Sequence, residues 1–71
     1  MTALYTADED LLRRAELPGN GATVHKIRAA VQTYLFRVYL YNKGQKTLAD
    51  VRALEKKINL LLLAEEFQWT I

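Results

Sequence analysis

Apolar residues recur at spacings of three and four along this chain, in three stretches separated by two breaks. The first break is Leu17-Pro-Gly-Asn-Gly21, where Pro18 fixes its own φ and Gly19 and Gly21 accept positive φ, so a helix stops before it. The second is Asn42-Lys-Gly-Gln-Lys46, in which Gly44 suits a helix C-cap and Lys43 and Lys46 sit near the negative end of a helix dipole. The pattern predicts helices over residues 6–16, 23–42 and 47–68.

In the first stretch Thr6 and Glu9 fit a capping box, in which each side chain satisfies one orphan backbone amide. Asp8, Glu9 and Asp10 fall in the first turn and Arg13 and Arg14 in the last, as the helix dipole favours. Leu11, Leu12 and Ala15 form a narrow stripe that must lean on another element.

In the second stretch Val24, Ile27, Val31, Tyr34, Val38 and Tyr41 make a heptad-like seam, which Leu35 and Tyr39 widen, with Lys26 and Arg37 turned away from it. Tyr34 to Tyr41 also reads as a strand by propensity. The longer periodicity and the Ala29-Ala30 pair favour a helix. In the third stretch Thr47 is a credible N-cap with Asp50 in the first turn. Val51, Leu54, Ile58, Leu61 and Leu62 form the main stripe, and Trp69 continues its direction. Arg52, Lys56 and Lys57 fall mostly outside it, and Glu65 and Glu66 lie near the C-terminal end, where the dipole disfavours them.

These elements predict an all-α fold, with a short N-terminal helix packed across the open end of a long antiparallel helical hairpin. Each long helix also carries a second apolar set: Phe36 and Leu40 in one, Leu60, Leu63 and Phe67 in the other. The short helix is placed to cover the latter set, whereas Phe36 and Leu40 lie some 20 Å away along the bundle. Either these two fold back under the loops, or the helix phase drifts, or they form an association surface. A symmetric homodimer that completes a four-helix core is one expectation, because a chain this small gains stability from self-association.

With 71 residues the chain is read as one helical domain, 1–71. A hydrophobic content of 51% argues against disorder, and a formal charge of +2 is too small a surplus to argue for nucleic acid. There is no Cys and one His, which excludes a disulfide framework, a thiolate metal site and a histidine-rich zinc site. The N-terminus carries acids early, unlike a signal peptide, and the apolar run from Leu60 to Ala64 is far shorter than the roughly 20 residues of a bilayer span. A cytoplasmic setting without membrane attachment is expected.

No motif names a chemistry. Ser and Cys nucleophiles are absent, and His25 has no acid near it in sequence. Pro18-Gly-Asn-Gly21 lacks the spacing and the preceding strand of a phosphate cradle. The expected function is therefore non-enzymatic, with no cofactor and no metal: a helical module that binds a larger protein and acts as its accessory regulator or inhibitor. The partner-binding residues are expected to be Phe36, Leu40, Lys43, Lys46 and Arg52, where apolar anchors lie beside positive charge suited to an acidic surface. The alternative is a DNA-binding regulator of helix-turn-helix type, with Thr23, His25, Lys26 and Arg28 reading a groove. Against it, the Pro-Gly-Asn-Gly loop is longer than the three or four residues usual for that motif.

Overall fold

The computed structural model describes the backbone of residues 4–19 and 21–69 and the side chains through residue 65. Its elements are α1 (Glu9–Arg14), α2 (Ala22–Asn42) and α3 (Leu48–Trp69). No strand occurs among the described residues, and Tyr34 to Tyr41 is helical. The two long helices pack closely as a hairpin, α1 packs on α3, and the molecule measures 48 × 17 × 17 Å.

The hairpin turn is built as its sequence suggests. Gly44 has φ +79°, its N–H donates to Tyr41 O at 2.9 Å, and the Gln45 N–H donates to Leu40 O at 2.9 Å. This pair of bonds closes α2 with a left-handed residue that glycine adopts without strain. Thr47 then opens α3. Its N–H and hydroxyl both donate to Asp50 Oδ2, at 3.1 and 3.0 Å, and hold the Asp50 carboxyl below the usual carboxylate range. Gly44→Ala meets open space, so only backbone strain opposes it. A loss of about 1 kcal/mol in urea-induced unfolding is expected.

The core comprises Val24, Ile27, Ala30, Tyr34 and Val38 of α2, Val51, Ile58 and Leu62 of α3, and Leu11 and Ala15 of the N-terminal segment. Val31, Tyr41, Leu54 and Leu61 are half-buried against it. Leu35 and Tyr39 depart from the expected seam: they are 44% and 54% exposed. The buried face of α2 runs through Val24, Ile27, Ala30, Tyr34 and Val38, and helical geometry then turns Leu35 and Tyr39 outward. The side chains of Glu66, Phe67 and Trp69 lie outside the described residues.

The N-terminal segment also departs from expectation. The Thr6–Glu9 capping box does not form. Asp8 is the N-cap of α1, its carboxylate accepting from the N–H groups of Asp10 and Leu11 at 3.1 and 3.2 Å. The helix is six residues long rather than eleven, because the residues before it take their hydrogen bonds from the hairpin. The Tyr5 N–H donates to Asn42 Oδ1 at 2.9 Å while Asn42 Nδ2 donates to Tyr5 O at 3.0 Å. The Asp8 N–H donates to the Tyr34 hydroxyl at 2.9 Å. At the other end of α1, Arg14 Nη2 donates to Asn59 Oδ1 at 3.0 Å. The segment thus runs along one side of the hairpin, from the turn end toward the open end, instead of crossing the open end. Leu60 and Leu63, which α1 was placed to cover, are 57% and 56% exposed.

Candidate functional site

The polar centre of the molecule is Glu55. Its Oε2 accepts from the Tyr5 hydroxyl at 2.6 Å and from the Tyr34 hydroxyl at 2.8 Å. Tyr34 is fully buried, and burial is the main cause that pushes its phenol well above the ordinary range, with Glu55 adding to it. The Tyr5 phenol is raised chiefly by its hydrogen bond to Glu55. Both phenols are donors and the carboxylate is an acceptor, so every group is satisfied and the cluster works as a clamp on the N-terminal segment. Sequence reasoning missed it, since Tyr5 and Glu55 are 50 positions apart. One signal was available: Glu55 lies on the same helical face as Val51 and Ile58, an acid within an apolar stripe.

The outer face of α2 has the opposite character. Phe36 is 60% exposed and stacks on Tyr39, with ring centroids 6.2 Å apart and 16° between planes. Lys43 Nζ lies 5.5 Å from the Tyr39 ring centroid, a cation–π contact that holds the ring from its C-terminal side. Leu35 joins this strip to an open groove of about 660 Å³, walled by Leu12, Ala15, Leu17 and Pro18 on one side and by Val31 and Leu35 on the other. Arg28 pins the far wall, its Nη2 donating to Leu17 O at 3.2 Å and to Gly19 O at 3.1 Å. Glu16 and Gln32 also border the groove.

Of the residues expected to bind a partner, the structure brings Phe36 and Lys43 together through Tyr39. Leu40 is half-buried on the same helix, and Lys46 is exposed in the turn, where its charge reaches Asp50. Arg52 stands apart on α3. Its charge acts on the Tyr5 phenol, on the side of the hairpin that the N-terminal segment covers. Leu35 and Tyr39 were assigned to the seam from sequence and belong instead to the exposed strip. His25, Lys26 and Arg28 are exposed and Thr23 is half-buried at the start of α2, with residues 15–21 separating α1 from α2.

Among the described residues, no group of three or more His, Asp and Glu side chains is placed to hold a metal ion. No described helix is long and apolar enough to cross a membrane. Comparison with protein-family models, with curated proteins and with solved structures returns no match for this chain.

Proposed function

We propose that this chain is a small non-enzymatic module that binds a larger protein in the cytoplasm through the outer face of α2, and so regulates or inhibits it. The observation that carries this reading is the strip of Leu35, Phe36 and Tyr39, three large apolar side chains adjacent on one helix and each between 44% and 60% exposed. Such side chains, aligned beside an open apolar groove, are the usual anchors of protein interfaces. Lys43 keeps the Tyr39 ring oriented, which reduces what binding must order.

The test is a variant carrying Phe36→Ala and Tyr39→Ala, compared with the wild type in affinity capture from native cytoplasm. Both side chains are exposed, so each change is expected to alter stability by about 0.5 kcal/mol or less. Partner binding is expected to weaken by about 2 kcal/mol or more. A variant that melts like the wild type and captures the same partner equally well defeats the proposal. A gel shift on duplex DNA at two salt concentrations addresses the helix-turn-helix alternative, which requires strong salt-dependent binding.

A further inference from the structure

We infer that the outer face of α2 takes an acidic amphipathic helix of the partner protein, an assignment that rests on the docking reading above. Its basis is the charge carried by α2 and the loops at its ends, of which Arg28 and Lys43 border the apolar strip and groove. From Leu17 to Ala49 the chain contains no Asp or Glu, yet this stretch carries Lys26, Arg28, Arg37, Lys43 and Lys46, five of the ten Lys and Arg residues. Every acid lies in the N-terminal segment or from Asp50 onward.

Arg28 and Lys43 flank the strip of Leu35, Phe36 and Tyr39, one toward each end of α2. They are 15 residues apart, about 22 Å along a helix, a span that four turns of a partner helix cover. Apolar residues on one face of that helix meet the strip and the groove, and acids on its flanks meet Arg28 and Lys43. Glu16 is the one acid that borders the groove.

The alternatives fit this face less well. A second copy laid antiparallel with its two-fold axis between Leu35 and Phe36 places Arg28 of each chain opposite Lys43 of the other. Two cations then face each other at each end of the strip, with no acid from either α2. Like charges set opposite one another across an interface oppose association. Duplex DNA matches the cations but sets hydrated phosphates against three large apolar side chains.

The test uses two labelled helical peptides of about 18 residues with identical Leu and Phe positions, one with Glu and one with Lys on the flanks, alongside a short DNA duplex. The Glu peptide is expected to bind about tenfold more tightly than the Lys peptide at low salt, with the gap narrowing as salt rises. Amide shifts are expected to move at Leu35, Phe36 and Tyr39, and Lys43→Glu is expected to narrow the gap. The Phe36→Ala, Tyr39→Ala variant is expected to weaken both peptides. Equal affinity for the two peptides, with the same α2 amides perturbed, overturns the acidic assignment and leaves the docking reading standing. Binding of neither peptide, binding of the duplex alone, or a dimer in sedimentation that the double variant abolishes overturns both.

Discussion

Leu11→Ala is expected to lower the free energy of unfolding by about 3 kcal/mol, measured by urea titration followed by circular dichroism. Leu11 is the only fully buried side chain of α1 and belongs to the hydrophobic core, as does Ala15. A helix of six residues has little stability of its own, so α1 exists because Leu11 is buried and Asp8 caps it. Removing three heavy atoms leaves a cavity that the rod-shaped hairpin can close only in part. Small domains are stable by only about 5–10 kcal/mol, so the loss is a large fraction of the total. A cost below about 1 kcal/mol indicates that the N-terminal segment is not docked as described.

Alkaline pH is expected to unfold the protein through the Glu55 clamp. Burial, with Glu55 behind it, raises the Tyr34 phenol above its ordinary value of 10.0. The Tyr5 phenol moves in the same direction, mainly through its hydrogen bond to Glu55. A raised acid pKa means that the folded chain holds the proton more tightly than the unfolded chain. The stabilising contribution is therefore complete below about pH 10 and is lost as pH rises above it. A phenolate at Tyr34 would face the Glu55 carboxylate at hydrogen-bond distance and would no longer have a proton to donate to it. The melting temperature is expected to stay level between about pH 7 and 9 and to fall steeply above 10. Tyr34→Phe removes the titrating group and leaves the Asp8 N–H and Glu55 without that partner. It is expected to cost about 1–3 kcal/mol at neutral pH and to flatten the alkaline decline. An unchanged decline in this variant assigns the effect to other groups.

The two long helices, their limits and the turn between them were legible in the sequence, because local physics decides them. Gly44 is the residue that tolerates the positive φ ending α2, and Thr47 with Asp50 satisfies the first amides of α3. Spacings of three and four placed Ile27, Tyr34, Val38, Val51, Ile58 and Leu62 in the core, since a helix brings such positions onto one face. Phe36 was legible as a side chain off the seam for the same reason, and it is 60% exposed.

Tertiary structure decided the rest. Whether the seam of α2 through Ile27, Tyr34 and Val38 widens toward Leu35 and Tyr39 or toward Ala30 depends on how the two helices pack, a property of the pair that neither sequence segment contains. That rotation left Leu35 and Tyr39 on the outside, beside Phe36. The Thr6–Glu9 capping box lost to Asp8 because Tyr5 and Asp8 find backbone partners in Asn42 and Tyr34, residues 37 and 26 positions away. Local rules weigh only neighbours along the chain, whereas an amide without a helical partner bonds to whatever the fold brings within reach. The Glu55 clamp and the groove beside α2 are of this kind, built from residues that become neighbours only when the N-terminal segment lies down along the hairpin.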